Sequence, residues 1–127
     1  MDRRILVVED VRASQDMVSE LLSQVGGFQV VGVCRTEGAA LQWLHEHPHG
    51  ADLVVLDLML QEGSGFSVLR KLDAPHTPDV VVFSDFATPA VAEKCRDLGA
   101  KAAIPKADVL QLRDFLHGFG KDQAQAA

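Results

Sequence analysis

Short apolar runs alternate with helix-period segments from one end of the chain to the other. Residues 5–8, 30–33, 53–56, 80–83 and, more weakly, 102–104 are rich in β-branched side chains and show no polar alternation, the pattern of strands covered on both faces. Between them Met17, Val18, Leu21, Leu22 and Val25 recur at helical spacing, as do Leu112, Phe115, Leu116 and Phe119, which predicts a first and a fifth helix. Three shorter helices are predicted over 36–47, 64–73 and 88–98. Thr36 caps the first of these, which carries Ala40, Trp43 and Leu44, while Thr88 caps the last and is followed by Pro89 at the first helical position. Gly26, Gly99 and Gly118 stand where helix C-termini favour a left-handed residue.

Five strands, each followed by a helix and joined by right-handed crossovers, make an α/β fold. The simplest arrangement is a doubly wound five-stranded parallel sheet in the order 2-1-3-4-5, the flavodoxin-like (βα)5 architecture. Such sheets bind ligands at the carboxyl ends of their strands, at the switch point between strands 1 and 3. The chain's 127 residues suffice for one domain of this kind. Residues 1–120 are expected to form it, with 121–127 as a polar tail or the start of a linker.

Charge and cysteine usage narrow the function classes. Twelve basic against eighteen acidic side chains give a net charge of -6 with no basic patch, which argues against binding of DNA or an anionic membrane by this chain alone. Cys34 and Cys95 stand apart in apolar surroundings without metal-ligand spacing, as reduced core thiols do. No apolar run approaches the length of a membrane span or a secretory signal, so a cytoplasmic location is expected.

Candidate chemistry gathers at the predicted strand ends. Strand 1 runs into Glu9 and Asp10, strand 3 into Asp57, strand 4 into Ser84, and strand 5 toward Lys106. Three carboxylates converging on one crevice require raised pKa values or a divalent cation, and oxygen-only ligation beside a phosphate suits Mg2+. Asp57 can then attack phosphorus to give an acyl phosphate. Mg2+, Lys106 and the Ser84 hydroxyl would neutralise the phosphoryl oxygens from three sides.

With these residues in view, the chain resembles the receiver domains of bacterial two-component response regulators over essentially its whole length, from Ile5 to Phe119. The resemblance rests on Glu9-Asp10, on Asp57 within Val54-Val55-Leu56-Asp57-Leu58, on Gly65 eight positions later, on Ser84, and on Gly99-Ala100 leading to Lys106. It implies that Asp57 is the phosphoacceptor and that Mg2+ is held by Asp10, Asp57 and the Met59 backbone carbonyl, with Glu9 acting through water. It also implies that Ser84 senses the phosphoryl group and that Lys106 pairs with it. The implied donor is a phosphohistidine on a sensor histidine kinase or a histidine phosphotransfer domain. The implied response surface is helix 4, strand 5 and helix 5, which would contact an output domain or protein or a second copy of the chain. Such a module is not an enzyme beyond its own phosphorylation and dephosphorylation.

Several positions depart from the family pattern. Ala103 stands where an aromatic usually follows the hydroxyl residue's movement, and Asp85 where the residue after that hydroxyl is usually small. Met59 is apolar at a position that is often polar, and Gln61 replaces a frequent proline. Lys106 precedes Ala107, where a cis peptide would cost about 2.5 to 4 kcal/mol, whereas the family commonly has a proline there. Ala103 and Asp85 keep a second reading open, a receiver fold that acts as an interaction module without phosphorylation. An aspartyl-phosphate phosphatase would want a second acid two positions past Asp57, where Met59 stands. Residues 63–68 superficially resemble a dinucleotide loop but lack its third glycine. His45, His47 and His49 crowd a predicted helix end at Pro48, where protonated imidazoles favourably meet the helix dipole.

Overall fold

The computed structural model describes residues 2–72 and 77–126. Its elements alternate as β1 (Arg3–Val8), α1 (Arg12–Val25), β2 (Phe28–Cys34), α2 (Glu37–Glu46), β3 (Leu53–Leu56), α3 (Gly65–Lys71), β4 (Asp79–Ser84), α4 (Pro89–Asp97), β5 (Ala102–Pro105) and α5 (Val109–Ala126). All strand pairings are parallel and the sheet order is β2-β1-β3-β4-β5, the predicted doubly wound arrangement.

The two faces of the sheet build two cores, because successive side chains on a strand point to opposite sides. Ile5, Val7, Leu53, Val55, Val81, Phe83 and Ile104 pack with Val18, Leu21 and Leu22 of α1 and with Leu112, Leu116 and Phe119 of α5. Leu6, Val8, Val54, Leu56, Val80, Val82 and Ala103 pack on the other face with Ala40 of α2, Val68 and Leu69 of α3, and Ala92 and Cys95 of α4. Every residue of β3 is buried, so the strand bearing Asp57 at its end is clamped from both sides.

Three helices have the caps their sequences call for. Thr36 accepts from the Ala39 N–H, Ser64 from the Ser67 N–H and Thr88 from the Val91 N–H. Gly26 and Gly99 have positive φ at the ends of α1 and α4. Gly118 does not end a helix: α5 continues through Ala126, since Phe119 still anchors it to the core. The helix therefore enters the polar segment expected as tail or linker. The expected end of the third helix at Asp73 lies outside the described residues. β2 departs from the expectation of two covered faces, because it is an edge strand with Val33 exposed.

Trp43 is partly buried against the α2-side core and stacks on His47, whose Nδ1 lies 2.8 Å from the Trp43 carbonyl. Cys34 and Cys95 are free and buried, and burial raises both thiol pKa values. Among the described residues no peptide bond is cis, and no helix is long and apolar enough to cross a membrane.

Candidate phosphoacceptor site

The register of the sheet delivers the candidate residues to one edge. Val8 pairs with Leu56, Leu56 with Val82, and Ser84 with Pro105, so β1, β3, β4 and β5 end side by side. Past those ends the backbone stays anchored. The Glu9 N–H donates to the Cys34 carbonyl at 2.9 Å, the Asp57 N–H to Val8 at 2.9 Å, and the Lys106 N–H to Ser84 at 3.2 Å. Glu9, Asp57 and Ser84 are buried although polar, an arrangement that requires partners.

Lys106 supplies a shared partner for the two buried acids. Its ammonium lies 2.5 Å from Glu9 Oε1 and 3.0 Å from Asp57 Oδ2, and its third donor direction is taken by Ser14 Oγ at 3.2 Å. Burial alone would pull the lysine pKa down, but its hydrogen bonds to Glu9 and Asp57 outweigh that and hold it above its ordinary value. Burial pushes the Glu9 carboxyl up, ahead of the opposing hydrogen bonds from Lys106 and the Val11 N–H. The Met59 N–H reaches Asp57 Oδ1 at 3.3 Å. The Ser84 hydroxyl oxygen accepts from the Phe86 N–H at 3.3 Å, tying it to the β4–α4 loop.

Glu9, Asp10 and Asp57 each offer a carboxylate oxygen within 4.8 Å of the others. Octahedral Mg2+ at its usual bond lengths of about 2.0–2.1 Å needs ligand oxygens about 3 to 4 Å apart. The all-oxygen donor set fits the ion in chemistry, and its oxygens lie close enough together to close on one. Among the described residues, His45, His47 and His49 form no comparable group.

The turn after Asp57 is unusually tight. A Cβ at Gly65 would collide with the Asp57 carbonyl oxygen and the Leu58 Cα, and the Gly65 N–H donates to the Leu58 carbonyl at 2.9 Å. Met59 and Ser64 form an antiparallel bridge. The loop leaves β3 and returns at once to start α3, with the Met59 side chain outside. Met59, Phe86 and Val11 are about half exposed around the site, at 55%, 52% and 49%.

Two contacts escaped the sequence reading. Ser14 stands one turn before Val18 on the buried stripe of α1, a polar residue where an apolar one is expected, and that exception was the available signal. The Gln15 side-chain amide donates to the Glu9 carbonyl at 2.7 Å, and nothing in the sequence pattern announces it.

Comparison with known proteins agrees with this geometry. Residues 5–116 match the family model of the response regulator receiver domain. The chain is 33% identical over 97 residues to the transcriptional regulatory protein MalR of Bacillus subtilis, covering 76% of this chain and 40% of that protein. It is 38% identical over 98 residues to a protein-glutamate methylesterase/protein-glutamine glutaminase of Anaeromyxobacter dehalogenans, covering 76% of this chain and 27% of that one. The chain thus spans about a quarter to a half of the curated relatives it matches. Among solved structures, the phosphorylated cyanobacterial phytochrome response regulator RcpA superposes with a TM-score of 0.79 at 26% identity, covering 100% of this chain and 97% of that one. The receiver domain of a DNA-binding response regulator from Colwellia psychrerythraea gives 0.82 at 22% identity, covering 94% and 99%, a likeness of fold.

Proposed function

The chain belongs to the response regulator receiver domain family, and from that premise we propose that it is a phosphorylatable switch that accepts a phosphoryl group on Asp57. Receiver domains serve two-component signalling, bind Mg2+ at an acidic site and work with histidine kinases or phosphotransfer proteins. The observation that carries the reading for this chain is the convergence of Glu9, Asp10 and Asp57 within 4.8 Å, with Lys106 bridging Glu9 and Asp57.

On this reading Asp10, Asp57 and the Met59 carbonyl would hold Mg2+, with Glu9 close by as the third acid. The ion supplies the positive charge that lets an anionic phosphoryl group approach three acids. An Asp57 oxygen attacks phosphorus; the new O–P bond forms as the P–N bond to the donor histidine breaks, and the electron pair leaves with the imidazole. Lys106, already within 3.0 Å of Asp57 Oδ2, turns to a phosphoryl oxygen. Ser84 donates its O–H to another oxygen, and that movement alters the β4–α4 loop to which Phe86 ties it. The surface from α4 through β5 to α5 then changes its affinity for an output domain or protein, or for a second copy of the chain. Residues 1–120 form this unit, and α5 continues its helix past them. The methylesterase and transcriptional activities in the relatives' names belong to those longer proteins, and the receiver itself is not an enzyme.

Intact mass after incubation with acetyl phosphate and Mg2+ tests the proposal. One phosphoryl adduct, absent in Asp57→Ala and without metal, supports it. The second reading, an interaction module independent of phosphate, draws on Ala103, which is buried against the α4-side core where the family's switch aromatic would stand. Absence of both an adduct and beryllofluoride binding would favour that module.

A further inference from the structure

We propose that Glu37, the first residue of α2, is a positioning residue for the phosphoacceptor loop, latching the segment that carries the Met59 carbonyl into the shape the metal site needs. The inference rests on the reading of the site given above and concerns a residue that touches neither Asp57 nor the acid pair. Glu37 holds the loop through main chain and side chain together. Its N–H donates to the Glu62 carbonyl at 3.0 Å. Its Oε1 accepts from the Ser64 N–H at 3.1 Å, and its Oε2 accepts from the Ser67 hydroxyl at 2.8 Å and from the Lys71 ammonium of α3 at 2.9 Å.

The bonds to Glu62 and Ser64 fix the half of the loop that Asp57 does not. At the base, the Gly65 N–H to the Leu58 carbonyl and the Met59–Ser64 bridge close the turn. At the far side, Glu62 and Ser64 are both bound to Glu37. Gly63, between them, has φ of +77° and lies so close to the Glu37 side chain that a Cβ there would collide with it. Met59 pairs directly with Ser64, so a displacement of Ser64 moves Met59. A plain surface ion pair between Glu37 and Lys71 would be worth little. Here most of the partners belong to the loop and the start of α3, and only Lys71 is an exposed cation.

Supporting shells around metal ligands commonly change affinity tenfold or more when removed. Calorimetric Mg2+ titration and amide hydrogen exchange of the metal-free chain, on wild type, Glu37→Ala, Glu37→Gln and Lys71→Met, test the latch. Glu37→Ala is expected to bind Mg2+ roughly tenfold more weakly and to exchange the Ser64 amide roughly tenfold faster. Glu37→Gln keeps an acceptor for Ser64 and should recover most of both losses, and Lys71→Met should leave both near wild type. Ser67→Ala, which removes one donor to the same carboxylate, should give a smaller loss in the same direction and carries the test if Glu37→Ala does not fold. A folded Glu37→Ala with wild-type affinity overturns the latch, as does a Lys71→Met that reproduces its loss. A wild type that binds no Mg2+ overturns instead the reading of the site on which the latch depends.

Discussion

Lys106 at the end of β5 places its ammonium 3.0 Å from Asp57 Oδ2 at the end of β3, and the same ammonium meets Glu9. Side-chain exposures of 11% for the lysine and about half that for each acid make this a buried charge cluster. Removing the cation leaves two desolvated acids facing each other. Lys106→Met is therefore expected to lose about 3 kcal/mol of stability at neutral pH without metal. The lysine pKa is raised, so its contribution is complete below the ordinary value of 10.5 and is lost only as pH rises beyond it. Mg2+ should stabilise the variant more than wild type, because it restores positive charge between the acids. Urea unfolding with and without Mg2+ measures both effects, and equal stabilisation of the two proteins would contradict the account.

Gly65 is required by space. A Cβ there meets the Asp57 carbonyl oxygen and the Leu58 Cα, both backbone atoms that cannot move without shifting the acceptor. Gly65→Ala is expected to cost about 1 to 3 kcal/mol and to slow phosphorylation by acetyl phosphate. Unfolding midpoints and adduct rates by mass spectrometry check this. A variant that unfolds earlier but phosphorylates at the wild-type rate would separate the turn from the acceptor's geometry.

The legible and illegible parts of the chain divide along physical lines. The inner strands declared themselves because burial on both faces demands unbroken apolar runs, as in Leu53–Leu56. Edge strand β2 is longer than its apolar run because Phe28 and Gln29 also pair with Arg3 and Arg4, and polar Gln29 interrupts the run. Glu9, Asp10, Asp57, Ser84 and Lys106 could be grouped because strand ends of a parallel sheet meet at one edge whatever the loops do. Glu37 could not, since its side-chain partners lie 27 to 34 positions away and nothing local distinguishes it from any acid in a helix's first turn. Gly118 misled for a related reason. A glycine ends a helix only where the apolar stripe also ends, and Phe119 extends that stripe.

Met59 stands beside the acceptor with its side chain 55% exposed, on the loop that closes over Asp57. An apolar side chain there hinders the ordered approach of water to an acyl phosphate. Met59→Asn, which supplies groups able to hold a water, is expected to shorten the lifetime of the phosphorylated form several-fold. Decay of the adduct after donor removal measures it, and an unchanged lifetime would show that Met59 does not guard the phosphoryl group.

Asp85 follows the Ser84 hydroxyl and is exposed at the start of the β4–α4 loop. Its charge repels each unit of negative charge on an incoming donor by about 1 kcal/mol at contact distances in water, a factor of about five in rate. Asp85→Ala is expected to accelerate phosphorylation by acetyl phosphate by up to that factor at low ionic strength. The advantage should shrink in high salt as screening shortens the reach of the charge. Rates for both proteins at two salt concentrations test this; equal rates at low salt would remove Asp85 from the electrostatics of donor approach.

Glu37 gives a pH dependence whose sign is fixed. Hydrogen bonds from Lys71, Ser67 and the Ser64 N–H hold its carboxyl down at about 2, against an ordinary value of 4.5. A carboxyl depressed in the folded state stabilises the protein above its unfolded pKa, and that contribution is lost as pH falls through the folded one. The stability difference between wild type and Glu37→Gln should therefore be constant from pH 7 to about 5 and shrink steadily between pH 4.5 and 2. Urea unfolding across that range measures it. Because Gln keeps an acceptor for Ser64, the difference reports the ionic part of the network alone. A difference that stayed constant down to pH 2.5 would mean that the charge on Glu37 contributes nothing to folding, leaving its hold on the loop to neutral hydrogen bonds.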